Sequence, residues 1–334
     1  MKKEVNLKDK IIEFAKKNVI LIVLFILCIG FAIGNKAFLD PKNLVNLTTQ
    51  MAINTMLTIG LTYVIILGGI DISVGSVAAL AGVSAAIVSK MLPTDVPLVI
   101  MIIVQLAIGV AVGIVFGAFN GTMITKFKVV PMIATLATQT IARGAAYLLT
   151  GGGAVSGVPS KFAFLGAERL FKTANKPTGW LPIITIVVVI FAIIMHIILS
   201  KTVFGRHVYA TGSNENVAKL SGIKTNKVLF LGYVICGVMA ALGGVLCASK
   251  LQNGQPGACE SYEMFAIAST VMGGTSLVGG SGSILKAIIG CAVVAVINNG
   301  MNLLHINSYW QKIVLGVIIF LAVAFDMSQR KKKQ

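Results

Sequence analysis

The chain has 334 residues, 28 Lys and Arg against 11 Asp and Glu, a formal net charge of +17, and 35 Gly. It is 56% hydrophobic and only 12% charged, with a mean hydropathy of +0.91, whereas soluble domains carry about 25% charged residues. So much apolar side chain exceeds what a soluble interior holds, which excludes a soluble globular domain and selects a polytopic membrane protein. The apolar runs are continuous, which excludes a β-barrel of alternating segments.

A basic stretch, residues 1–17, opens the chain, and "NVILIVLFILCIGFAIGN" follows it. That run is long and lacks a small-x-small cleavage site, so it reads as an uncleaved first span. Ten spans are predicted, at 18–34, 47–67, 72–90, 97–124, 130–150, 181–200, 227–249, 263–280, 284–303 and 309–326. Each is able to cross about 30 Å of hydrocarbon. The fold class is thus all-α, with a tail at 1–17, a membrane domain at 18–326 and a basic tail at 327–334. With the N-terminus in the cytoplasm, 18 Lys/Arg fall inside and nine outside, and Arg143 lies within a span. The positive-inside rule then puts both termini in the cytoplasm. No basic stretch is interleaved with stacking aromatics, so a nucleic-acid partner is excluded.

Between the second and third spans, "LGGIDISVGS" carries Asp71, an acidic residue at membrane depth. A charge there costs about 2.5–3.5 kcal/mol on insertion scales and needs a partner, water or a cavity. Asp71 or Ser73 either caps the next helix after the Gly68–Gly69 break or belongs to a translocation path, with Asn120 as a third path candidate. In the fourth span, Gly109, Gly113, Gly117 and Gly121 recur every four residues along one helix face, a stripe suited to close packing. Arg143 of the fifth span either reaches an interface or faces the bundle interior. "GGGAVSGV" (151–158) has Val158 where a phosphate loop needs Lys, so it reads as an outer loop.

A second glycine-rich break, "MGGTSLVGGSGS" (272–283), echoes the first: Gly68, Gly69, Gly75 and Ser76 match Gly273, Gly274, Gly280 and Ser281 at an offset of 205. Paired breaks of this kind mark duplicated transporters, with chance agreement the competing reading in so glycine-rich a chain. The five cysteines read as free structural thiols, Cys259 alone near water. His196, His207 and His305 are scattered, so no metal site is expected.

The polar segment 201–227 is predicted to hold a very short helix within "SNENVAKLSG", capped by Ser213 or Asn214, with Glu215 in its first turn and Gly222 as its stop. Val217, Leu220 and Ile223 form an apolar edge. That edge either enters a partner's groove or packs on the protein's own loops or the lipid surface.

"TYVIILGGIDISVGSVAALAG", "GRHVYATGSNENVAKLSGIKTNK", "QPGACESYEMFAIASTVMGGTSLVGGSGS" and "NNGMNLLHINSYWQKIVLGVIIFLAVAFD" together resemble the permease subunits of bacterial ABC importers for ribose and related monosaccharides. The resemblance covers about residues 41–326. It implies a ten-helix fold in the bacterial inner membrane that pairs with a second copy, cytoplasmic ATPase subunits carrying ATP and Mg, and an extracytoplasmic sugar-binding protein. The chain itself is then not an enzyme and binds no cofactor. Ser213–Gly222 matches the family's coupling helix, which seats in the ATPase. Gly205, Arg206, Gly212, Ser213, Asn214, Glu215, Val217, Ala218, Leu220, Ser221 and Gly222 are the coupling residues so implied. Lys286 and "GACESYE" (257–263) depart from the family pattern. The alternative is an ion-coupled secondary transporter for a small polar solute, with Asp71 as its carboxylate.

Overall fold

The computed structural model describes residues 19–93, 95–171 and 179–331. The 1–17 tail, the last three residues of the 327–334 tail, and the loop lysines Lys172 and Lys176 lie outside the described residues. Within them the chain is helical almost throughout. In order, the helices are α1 (Val19–Gly34), α2 (Pro41–Ile66), α3 (Val74–Met91), α4 (Leu98–Thr125), α5 (Pro131–Thr150), the short α6 (Phe164–Ala167), α7 (Ile183–Lys201), α8 (Val203–Ser213), α9 (Glu215–Leu220), α10 (Thr225–Leu251), α11 (Tyr262–Met272), α12 (Ile284–Leu303) and α13 (Ser308–Lys331). Local chemistry starts several of them. Asp40 accepts from the Lys42 N–H at 2.7 Å with Pro41 at the first helical position of α2, and Pro131 opens α5; Pro fits there because the first N–H has no partner inside the helix.

Six helices, α2, α3, α4, α7, α10 and α12, are long and apolar enough to cross a membrane, by length and composition. The 263–280 segment is not one helix. α11 ends at Met272, and left-handed Gly274, Gly279 and Gly280 carry the chain on to Ser283 without helical structure. Apolar character alone had suggested a span, but the glycines that break it are the stronger local signal.

The core gathers around α10. Every residue of α2 from Ala52 to Ile66 is buried, as is α10 from Met239 to Ser249. α4 buries only one face, Met101, Gln105, Gly109, Gly113, Gly117 and Gly121, and turns apolar side chains such as Ile103 and Val115 outward. Lipid tails are as apolar as Leu, so helix association in a membrane rests on close packing rather than hydrophobic burial. The glycines supply that closeness. A Cβ on Gly113 would strike Val238 Cα, one on Gly117 would lie 2.6 Å from the Tyr233 carbonyl, and one on Gly121 would lie 2.9 Å from the Phe230 ring. α3 meets α10 in the same way, through Gly82 against the Gly244 carbonyl and Gly244 against Ala78. This second contact is absent from the sequence reading, because Gly82 and Gly244 form no stripe on one helix.

On the face assigned to the outside, Arg169–Leu170 pairs antiparallel with Leu181–Pro182. Val155 and Gly254 exchange both backbone hydrogen bonds, 2.8 and 3.0 Å, which ties loop 151–158 to the segment after α10. Cys259, expected near water, is buried beside Cys247, because the chain after Gly254 folds back into the bundle. All five cysteines are free thiols.

Candidate functional site

Two features converge at the C-terminal end of α2. The first is the break between α2 and α3. Gly68, at φ +81°, turns the chain, and the N–H groups of Gly68 and Gly69 close on the Ile65 and Val64 carbonyls, both at 2.9 Å. Asp71 Oδ1 then accepts from the Ser73 N–H at 2.9 Å and from the Ser73 hydroxyl at 2.6 Å. This is an Asx turn, in which a short acidic side chain replaces a backbone acceptor. Neither side chain caps α3: Ser73 is the flanking residue, but in helical conformation and with no side-chain bond to the first turn. The capping expectation therefore fails, because Asp71 spends its oxygen on Ser73 instead.

Asn120, on α4, binds the same pair. Its amide donates to Ser73 Oγ at 3.1 Å and to Asp71 Oδ2 at 3.5 Å, while the Thr138 hydroxyl donates to Asn120 Oδ1. Asp71, Ser73 and Asn120 are each 1% exposed. The three path candidates are thus brought together, and Thr138 of α5, which the sequence did not single out, joins them. They form a closed buried network that ties α3, α4 and α5 to the break. Replacing Asn120 by Ala leaves the Thr138 hydroxyl without its acceptor and removes a donor from Asp71. The expected loss is about 1–3 kcal/mol, read as a lower melting temperature of the detergent-solubilised protein.

The second break meets the first. The Gly280 N–H donates to the Ile66 carbonyl at 2.8 Å, and Ser276 N–H to Ser281 O at 3.0 Å. Within the second break, the residue that shares the φ of +81° with Gly68 is Gly274, not Gly273, so the backbone echo is one position out of the offset of 205. Arg143 faces the bundle interior, where its Nη1 donates to the Pro256 and Ala258 carbonyls at 2.6 and 2.9 Å.

α8 is wedged between these breaks. A Cβ on Gly212 would strike the Ile66 carbonyl, and one on Gly279 would lie 2.6 Å from the Gly212 carbonyl. The Tyr209 hydroxyl donates to Gly282 O at 2.9 Å, and Gly205 sits so close to the Leu199 carbonyl that no side chain fits. Thr202 starts the helix by accepting from the Gly205 N–H at 3.3 Å. The sequence had treated 205–213 only as polar loop; here it lies within the eleven-residue helix Val203–Ser213.

α9 follows at once. Asn214 is its N-cap, accepting from the Val217 N–H at 3.1 Å, while Ser213 closes α8 by donating to the Tyr209 carbonyl at 2.9 Å. A six-residue helix is unstable alone, since nucleation outweighs so few hydrogen bonds. The rest of the chain holds it: Ala218 is buried, Thr225 donates to Glu215 Oε1 at 3.2 Å, and the Ile223 N–H reaches the Ala218 carbonyl at 3.0 Å. Lys219 pairs with Glu215 at 2.6 Å, one turn along. That hydrogen bond holds the Glu215 carboxyl below the ordinary carboxylate range. Its contribution is therefore present above that range, at neutral pH, and is lost as acidification passes through the lowered value. The apolar edge is divided. Ile223 lies past the helix end and packs toward the core, whereas Val217 is 57% and Leu220 90% exposed. Arg206, Ser221 and Gly222 are exposed as well.

Residues 43–323 match the family described as branched-chain amino acid transport system / permease component. The chain belongs to this permease family. It is 43% identical over 309 residues to the ribose import permease protein RbsC of Bacillus subtilis, covering 92% of this chain and 91% of that one. The RbsC of Haemophilus influenzae is 36% identical over 93% of both chains. The L-arabinose transport system permease protein AraH of Escherichia coli is 35% identical over 95% of this chain and 91% of its own. No solved structure matches. The permease is accordingly a multi-pass membrane subunit of an ABC import system. Among the described residues, no three His, Cys, Asp or Glu side chains are placed to hold a metal ion.

Proposed function

We propose that this permease passes a monosaccharide, ribose in the first place, across the bacterial inner membrane by alternating access, driven by ATP hydrolysis on separate subunits. The observation that carries the reading is α9: a helix held rigidly by its own chain, which leaves Leu220 bare. A large apolar side chain at the wet end of a membrane protein fits a groove in another protein. Cytoplasmic ATPase subunits carrying ATP and Mg are the partner that fits the family. α8 then transmits their movement, since it is clamped to both glycine breaks at once.

In this reading the chain crosses the membrane ten times, the short α11 included, with both termini in the cytoplasm. It pairs with a second copy of itself. The joined loops around Val155 and Gly254 face the extracytoplasmic sugar-binding protein. Asp71, Ser73 and Asn120 meet the solute only when the N-terminal end of α3 moves, as alternating access requires. The sugar assignment follows the names of the relatives, of which those for ribose have the highest identity among the three described.

Ribose uptake into inverted-orientation-controlled vesicles holding the permease, its ATPase and its binding protein tests this. Uptake should require ATP and persist when ionophores collapse every ion gradient. Uptake driven by a gradient in ATP-depleted vesicles would instead establish a secondary transporter, with Asp71 its coupling carboxylate.

A further inference from the structure

Two of the five cysteines meet. Cys247, near the C-terminal end of α10, and Cys259, in the irregular chain before α11, are in hydrogen-bonding contact through their thiols. They are 6% and 5% exposed, and both are free. The segment that carries Cys259 is held from three sides. Gly254 exchanges backbone hydrogen bonds with Val155, and Arg143 donates to the Pro256 and Ala258 carbonyls. On the third side, a Cβ on Gly75 would lie 2.6 Å from the Cys259 carbonyl.

Cys259 adopts a φ of +55°, a left-handed conformation that favours Gly or Asn and is costly for other side chains. Backbone chemistry therefore gives no reason for cysteine at 259. What the residue does there is set a thiol against Cys247. Thiols already in contact lie within the short reach of a disulfide, which then forms with little backbone movement. Other buried cysteines are engaged differently: Cys291 receives hydrogen bonds from Asn54 and Thr55, and the Cys236 thiol donates to Asp71.

Resting on the importer reading, which puts this segment at the outer face, we propose that Cys247 and Cys259 form a reversible oxidation site whose closure by a peroxide stops import. One sulfur attacks a peroxide oxygen as the O–O bond breaks, which yields a sulfenic acid and one water. The second thiol then attacks that sulfur, and the sulfenic oxygen leaves as another water with the thiol proton. The two sulfurs lose two electrons together, and the peroxide gains them. Hydrogen peroxide is little larger than water, and Glu260, the next residue, is exposed, so the oxidant reaches the pair without unfolding. The new bond fastens Cys259 to α10, the helix around which the core gathers. Alternating access moves the N-terminal end of α3, where Gly75 rests against Cys259. A segment tied to α10 cannot follow that movement.

Peroxide treatment of the complete importer in vesicles tests this. After submillimolar hydrogen peroxide, tryptic digestion without reductant should yield peptide 228–250, which holds Cys247, joined to peptide 251–286, which holds Cys259. Fragmentation should place the bond at position 247 rather than 236. ATP-driven ribose uptake should fall several-fold, and dithiothreitol should both separate the peptides and restore uptake. Cys259→Gly removes the thiol and suits the left-handed backbone, so its uptake should match the wild type and resist peroxide. Cys247→Ala should behave alike, and serves if Cys259→Gly does not assemble; the linked peptides of the wild type are read without either variant. Absence of the link, a link that leaves uptake unchanged, or uptake lost equally in Cys259→Gly overturns the proposal. A link that stops uptake in a chain whose transport proves ion-driven removes the importer and keeps the thiol pair.

Discussion

Leu220→Arg is expected to abolish co-purification of the ATPase subunits with the permease while the membrane bundle stays intact. The side chain is 90% exposed and touches none of the contacts that hold α9, which run through Asn214, Glu215, Ala218 and Thr225. Folding therefore has little stake in it, and surface substitutions of this kind change stability by no more than about 0.5 kcal/mol. Binding has a large stake, because a buried unpaired charge in an apolar groove costs several kcal/mol, enough to remove a complex of ordinary affinity. ATP-driven uptake should fall to background with unchanged monomer yield and melting temperature. Glu215→Lys is a useful companion. It sets like charges at positions 215 and 219 and loses the bond from Thr225, so both docking and the local fold of α9 suffer. An ATPase that still co-purifies with Leu220→Arg would move the docking surface elsewhere on the 201–227 segment.

Gly113→Val should have the largest effect on folding. Its Cβ would strike Val238 Cα, a backbone atom that cannot swing aside, and the Gly237 carbonyl lies 2.7 Å from the same point. α4 and α10 must then separate along the whole stripe from Gly109 to Gly121. Overpacking of a dense core costs about 1–3 kcal/mol, and here the strain falls on two backbones, so the upper end of that range applies. Detergent-solubilised Gly113→Val should give little monodisperse protein. Gly30→Ala is the matched control: its Cβ meets nothing within 4 Å, and Ala is the better helix former by about 1 kcal/mol. Equal yields of the two variants would show that the stripe tolerates separation.

Much of the architecture is legible because its signals are local. Five of the six long apolar helices announce themselves as hydrophobic runs within about two residues of their real ends, while α2 starts six residues before the run, at the Asp40–Pro41 cap; the four-residue glycine spacing marks the face of α4 that the structure buries. The α9 boundaries follow from Asn214, Glu215 and Gly222, each acting on neighbours one turn away. Where two local readings competed, position alone did not decide: either Ser213 or Asn214 suits the cap, and the geometry takes Asn214 because Ser213 is already bonded in α8.

The sequence by itself determined that this chain lives in a membrane, that its helices pack through glycine, and that a short helix in the polar segment carries an apolar edge containing Leu220. Composition, periodicity and capping carry those statements, and all three act over one or two helical turns. Only the tertiary structure decided that Asp71 binds Ser73 and Asn120 instead of capping α3. It alone set α8 against both glycine breaks, folded Cys259 into the interior, and turned Arg143 onto the carbonyls of Pro256 and Ala258. Those contacts join residues from 49 positions apart, as in Asp71–Asn120, to 146, as in Ile66–Gly212, or depend on a backbone turn between them. No local pattern encodes such pairings, because which buried polar group finds which partner depends on where whole helices come to rest.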